Sequence, residues 1–159
     1  MREILFRGKA INRDYGCHRT NYKNGDWVYG LVTRLYDERF ENLPAEMTNV
    51  NGIEGIEVDY KTIGQYTGLT DKNGRKIFEG DIVSTKYKLG RGGYYVFEVY
   101  YNENLCQFAL TINSRSYTKN KQYDWLQLTS LKANKVEVIG NIHDNPELLK
   151  EGDESVSKG

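Results

Sequence analysis

Short runs in which apolar and polar side chains alternate, each broken by glycine or asparagine, constrain this chain more than any other feature. In "DWVYGLV", Trp27, Tyr29 and Leu31 fall on one face, and Val28, Gly30 and Val32 on the other. In "YYVFEVYY", Tyr95, Phe97, Val99 and Tyr101 make an apolar face, against a mixed face of Tyr94, Val96, Glu98 and Tyr100. In "LCQFALTI", Cys106, Phe108, Leu110 and Ile112 point one way, which predicts a buried and inert thiol at Cys106. In "VEVIGNI", Val136, Val138 and Ile142 line up against Glu137 and Asn141. Such runs predict a mainly β fold of short antiparallel strands with little helix.

The stretch "QYTGLTDKNGRKIFEGDIV", residues 65–83, supplies the punctuation. Asn73-Gly74 is the dipeptide preferred by a type I′ hairpin turn, in which both central residues take positive φ. Gly80 permits a second change of direction before Asp81-Ile82-Val83 begins a strand. Turn-separated strands of this length suit a small curled barrel. A phosphate-binding loop would need Gly-Lys-Ser/Thr entering a helix, and neither this run nor "GRGGYYV" at residues 90–96 has it. Gly25-Asp26-Trp27-Val28 echoes Gly80-Asp81-Ile82-Val83, which turn chemistry before a strand explains.

Helical signals are few. Tyr36, Phe40, Leu43 and Met47 stand at helical intervals, but Pro44 interrupts them. "YDWLQLTSL" fits a helix through Trp125, Leu128 and Leu131, or a strand through Leu126 and Leu128. Asn145 as cap, Pro146 in the first turn and Glu147 beside it predict a short helix near residues 145–149. Residues 150–159, with one apolar side chain, read as a disordered tail.

Composition bounds the function. Hydrophobic residues are 38% of the chain, and thirteen tyrosines supply ring area with a wet polar tip. The 22 basic residues equal the 22 acidic ones, which speaks against a protein that coats duplex DNA. No apolar run reaches membrane-spanning length, and "MREILFRGKAIN" carries charges inside its apolar stretch, unlike a signal peptide. A cytoplasmic location is expected, with Cys17 and Cys106 reduced.

Little chemistry assembles from these residues. Cys17, His18, Cys106 and His143 lack the spacing of a zinc module, so no metal and no cofactor is expected. Cys17 lies in a polar loop beside His18 and Arg19, but a nucleophile needs a positioned base and an orienting group. Glu79 and Asp81 flank Gly80 and form the one candidate carboxylate pair, for which turn chemistry is the simpler account. No catalytic residue is assigned, and no enzyme is expected. The hairpin "KYKLGRGGYYVFEVYY" places Lys86, Lys88, Arg91, Tyr94 and Tyr100 together as a candidate binding set, since small barrels stack single-stranded bases on rings beside cations.

"REILFRGKAIN", "NGDWVYG", "VDYKTIGQYTGLTDKNGRKIFEGDIV" and "VEVIGNIHDNPELL" together resemble the YopX family of phage and prophage proteins, from Arg2 to Leu149. The blocks Gln65–Val83 and Val136–Leu149 carry most of the resemblance, and residues 84–135 carry little. Where that family often has Asp-Pro-Glu-Thr, this chain has Asp59-Tyr60-Lys61-Thr62, which leaves a freer backbone before Ile63. The resemblance implies a β-rich fold with an SH3-like barrel part and a phage or prophage origin in a bacterial host. It supplies no activity and no catalytic residues.

The expected organisation is one domain over residues 1–149: an N-terminal β part to about residue 68, a barrel part from about 69 to 142, and the short helix. The expected role is a non-enzymatic accessory protein that binds a host or phage protein through a strand edge or barrel surface. A nucleic-acid-binding accessory protein using the 86–101 hairpin is the alternative, and a small hydrolytic or ligand-binding enzyme the third. No membrane partner is expected, and self-association is left open.

Overall fold

The computed structural model describes residues 3–11, 21–35, 44–53, 55–89, 93–111, 125–127 and 135–149. The fold is mainly β, as the alternation predicts. Contacts divide the chain into two compact units, Met1–Tyr66 and Thr67–Gly159.

In the N-terminal unit, β1 (Phe6–Ala10), β2 (Trp27–Arg34), β3 (Ala45–Asn49) and the first part of β4 (Ile56–Thr70) are joined in a circuit. β1 pairs antiparallel with β2 and with β4, and β3 pairs antiparallel with β2 and with β4. The inward face of β2 is the one carrying Val28 and Gly30, both buried. It meets Ala10, Ala45, Met47, Ile56 and Val58 in one apolar cluster. Gly30 has no room for a side chain, because a Cβ there would stand 1.9 Å from the Thr48 carbonyl oxygen. Met47 is completely buried on a strand, so the helical spacing read over residues 36–47 does not hold at its C-terminal end; residues 36–43 lie outside the described residues.

β4 closes onto β1 through a bulge. Arg7 is opposite Gly64 while Lys9 is opposite Asp59, so β4 carries extra residues between the two registers. Asp59 and Thr62 tie off the excursion: Lys61 N–H donates to Asp59 Oδ1 at 3.0 Å, and Thr62 Oγ1 donates to the Asp59 carbonyl at 2.7 Å. Lys9 N–H then donates to Thr62 Oγ1 at 2.8 Å. Asp59-Tyr60-Lys61-Thr62 therefore forms an ordered turn without a proline.

The C-terminal unit holds β5 (Lys76–Phe78) and a five-stranded antiparallel sheet. The sheet order is β10 (Val136–Asn141), β6 (Asp81–Leu89), β7 (Gly93–Asn102), β8 (Gln107–Thr111) and β9 (Trp125–Gln127). Among the described residues no pairing joins β9 to β10, so the ring expected of residues 69–142 is partial. Ile77, Val83, Phe97, Val99, Leu110, Val136 and Val138 form its core. The alternation assigned Phe97, Val99, Leu110, Val136 and Val138 to inward faces, and they are buried. A register shift between Val138 and Gly140 then turns the strand, so Ile142 is only half-buried while Asn141 is buried.

The hairpin at Asn73-Gly74 is not type I′. Gly74 has φ 80°, but Asn73 does not take positive φ. The loop has three residues instead, closed by Asp71 N–H to the Arg75 carbonyl at 2.8 Å and Gly74 N–H to the Asp71 carbonyl at 3.0 Å. The buried Asp71 side chain selects it: Oδ1 accepts from Asn73 N–H at 2.8 Å and from Arg75 N–H at 2.9 Å. Oδ2 reaches β10 and accepts from Val138 N–H at 3.1 Å. Lys72 N–H adds a bond to the Val136 carbonyl at 2.9 Å, and Lys72 Nζ pairs with Glu137. Pro146–Leu149 forms a single 3-10 turn after Asn145, whose carbonyl accepts from Leu148 N–H at 3.1 Å. The tail at 150–159 lies outside the described residues.

Candidate functional site

The outward face of the N-terminal strands is the most distinctive surface among the described residues. Register places Arg7 opposite Tyr29, Lys9 opposite Trp27 and Leu31 opposite Thr48. Val50 N–H donates to the Tyr29 carbonyl at 2.9 Å, which continues the Tyr29 row past the end of β3. Tyr29 is 38% exposed, Leu31 50% and Val50 68%. Three apolar side chains near one another on this face thus stand in water.

Charge borders this ridge. The Arg7 guanidinium carbon lies 4.6 Å from the Trp27 ring centroid and Lys9 Nζ 5.5 Å from it, so the electron-rich ring face holds two cations. Arg7 is nonetheless buried at 3% exposure, and its role toward solvent is small. Past Leu31, Arg34 and Glu46 form an exposed ion pair at 3.2 Å. The sequence alternation already grouped Trp27, Tyr29 and Leu31. The missed signal was Gly30 on the opposite face, because glycine between two packed strands marks the close-packed side and leaves the rings outside.

Of the two carboxylates flanking Gly80, Asp81 serves the turn, the simpler of the two accounts its position allows. Asp81 is fully buried and its Oδ2 accepts from Phe78 N–H at 2.7 Å, a turn-closing role. Glu79 acts instead on Glu98 of β7. Burial, and then the Glu79 charge, push the Glu98 carboxyl above the usual glutamate range. Among the described residues no group of three or more His, Cys, Asp or Glu side chains could hold a metal.

The hairpin set is spread along the sheet. Lys86 and Lys88 lie on β6 and Tyr94 on β7, in the distal half closed by the Leu89–Gly93 pairing. Arg91 lies outside the described residues. Tyr100 is six positions beyond Tyr94 on the same strand, roughly 20 Å away at the rise of a β-strand, and pairs with Ala109 of β8. It is half-buried, with Asn102 Nδ2 donating to its hydroxyl at 3.4 Å. Tyr100 therefore stands well apart from Tyr94 along the strand.

Cys106 does not face the core, contrary to the alternation. It is exposed and free, and it takes φ 50° in the turn between β7 and β8 rather than facing inward with Leu110. The strand begins one residue later, at Gln107. Cys17 and His18 lie outside the described residues, and His143 follows β10 with its N–H donating to Asn141 Oδ1 at 3.0 Å.

These features define a small all-β protein of two antiparallel sheets with an exposed apolar face on the first. Comparison with known families makes the class specific: the chain belongs to the YopX family, described as YopX protein, which it matches over residues 13–150. None of the curated proteins matches it. Among solved structures it is similar to protein EF1440 from Enterococcus faecalis, with 26% identity, 92% of this chain and 98% of that chain covered, and a TM-score of 0.49. No helix among the described residues is long and apolar enough to cross a membrane.

Proposed function

We propose that this chain is a phage- or prophage-encoded accessory protein that works without catalysis, in the bacterial cytoplasm, by binding a host or phage protein through the Tyr29–Leu31–Val50 face. The observation that carries the reading is the exposure of Tyr29 and Leu31 on one face of β2, with exposed Val50 hydrogen-bonded beside Tyr29. A surface contact is favoured over strand addition for two reasons. The circuit of pairings gives each of β1, β2 and β3 a neighbour on both sides. The outer edge of β10 is occupied at Val136 and Val138 by the 71–75 loop.

The test is a quantitative pull-down from infected or lysogenic bacterial cells, with and without nuclease, comparing the wild-type chain with Leu31→Glu and Tyr29→Ala. The reading expects a partner that survives nuclease and binds either variant at least roughly tenfold more weakly, as for a central apolar anchor. Capture that disappears with nuclease and ignores both substitutions would instead support nucleic-acid binding by the 86–101 hairpin.

A further inference from the structure

The chain contains three Asn-Gly pairs, Asn24-Gly25, Asn51-Gly52 and Asn73-Gly74. In an unfolded chain this dipeptide is prone to spontaneous deamidation, because glycine leaves the following backbone nitrogen unhindered. All three asparagines are exposed, so water and base reach them. Each glycine nitrogen is occupied, however. Gly25 N–H donates to the Ala10 carbonyl at 2.8 Å, Gly52 N–H to the Asn49 carbonyl at 2.9 Å, and Gly74 N–H to the Asp71 carbonyl at 3.0 Å.

We propose that Asn24, Asn51 and Asn73 are sites of self-modification that the fold holds shut, each through the hydrogen bond donated by its own glycine N–H. In the reaction, base removes the glycine amide proton and the nitrogen attacks the asparagine Cγ. The Cγ–Nδ2 bond breaks and ammonia leaves, taking a proton from water. The resulting succinimide adds water at either carbonyl to give aspartate or isoaspartate. While the N–H is bound to a carbonyl, deprotonation and the approach to Cγ both require the loop to open. The native rate is then the denatured rate multiplied by the open fraction, as in hydrogen exchange.

The anchoring of the three loops ranks them. Besides its backbone bonds to buried Ala10, the Asn24 loop has only an exposed side-chain anchor among the described bonds, Lys23 N–H to Asp26 Oδ2 at 2.8 Å, whereas the other two loops have buried ones. The Asn51 loop is held by the buried Asn49 carboxamide, whose Oδ1 accepts from Asn51 N–H at 3.0 Å and Ile53 N–H at 2.9 Å. The Asn73 loop is held by buried Asp71 and is also bonded to β10, where Asn73 Nδ2 lies 3.4 Å from Glu137 Oε1. Asn24 should convert first and Asn73 last.

The test incubates the full chain in mildly alkaline buffer, native and in denaturant, and maps aspartate and isoaspartate at each position by peptide mass spectrometry. The expected native rates are at least roughly tenfold below the denatured rates at all three positions, with Asn73 slowest. Asp26→Ala should speed conversion at Asn24 in the native protein and leave Asn73 unchanged. A smaller native protection at any of the three positions, native conversion fastest at Asn73, or no response of Asn24 to Asp26→Ala would each overturn the proposal.

Discussion

Asn49 and Asp71 close two loops with the same set of hydrogen bonds. In each, the side-chain Oδ1 accepts from the N–H groups two and four residues on. Each backbone N–H donates to the carbonyl four residues on, and each carbonyl accepts from a glycine three residues on whose φ is 80°. They differ at the remaining side-chain atom. Asn49 Nδ2 donates to the Tyr22 hydroxyl at 3.0 Å, whereas Asp71 Oδ2 accepts from Val138 N–H at 3.1 Å.

That difference predicts an asymmetry. Asp71→Asn points an amide donor at a backbone donor, and should cost about 1–3 kcal/mol, the usual penalty for a buried polar group left unsatisfied. Asn49→Asp should cost less, because a hydroxyl both donates and accepts. Denaturant midpoints of the two variants check the order, and equal losses would contradict it.

Asp71 and Glu98 give opposite pH dependences. Burial pushes the Asp71 carboxyl up, but the N–H groups of Val138, Arg75 and Asn73, with the Arg75 charge, outweigh it and hold it below the usual aspartate range. Its contribution is therefore present above the unfolded value of about 3.9 and is lost as pH falls through the lower folded value. Asp71→Asn should flatten the acid limb of the stability profile.

Glu98 retains a proton that the unfolded chain gives up, so its contribution declines as pH rises from the ordinary glutamate value of about 4.3 toward the folded value. Glu98→Gln should raise the denaturation midpoint at neutral pH, with the gain vanishing below that window. A gain that persists unchanged in acid would point to packing rather than charge.

Two glycines should fail for different reasons. A Cβ on Gly74 meets nothing within 4 Å, so Gly74→Ala pays only for its φ of 80°, about 1 kcal/mol. Gly30→Ala drives a Cβ into the Thr48 carbonyl and should destabilise far more. Thermal melts of both variants compare the costs directly.

Arg7 should matter more than Lys9, although both face Trp27. The buried Arg7 stem packs as well as supplying a cation, so Arg7→Ala should cost about 2 kcal/mol and Lys9→Ala less than about 1 kcal/mol. Equilibrium unfolding followed by tryptophan fluorescence separates the two.

Period-two patterning revealed which side chains point inward wherever a strand runs straight, as in Val28–Gly30 and Phe97–Val99. It failed where the backbone leaves that period. The bulge at Asp59–Thr62 and the shift before Gly140 depend on partners more than fifty residues away, which no local pattern encodes. Cys106 looked like a strand residue because alternation continues through it, yet its left-handed φ makes it the end of a turn. At Asn73-Gly74 the dipeptide alone predicts type I′, while Asp71 two positions earlier decides the loop type. The same pattern stands at Asn49-Val50-Asn51-Gly52-Ile53, where the side chain two positions before the Asn-Gly asparagine again closes the loop. The exposed face was legible as a face but not as the outer one.

The Arg7–Gly64 and Lys9–Asp59 pairings join residues at opposite ends of the N-terminal unit, so the chain must form a long loop before β1 and β4 gain any contact. That entropy is spent early in folding, whereas the 71–75 loop closes over a few residues. Closure of β1 on β4 is expected to limit the folding rate. Thr62→Val, which removes the hydroxyl bridging Lys9 and Asp59, should then slow refolding, while Asp71→Asn should chiefly hasten unfolding.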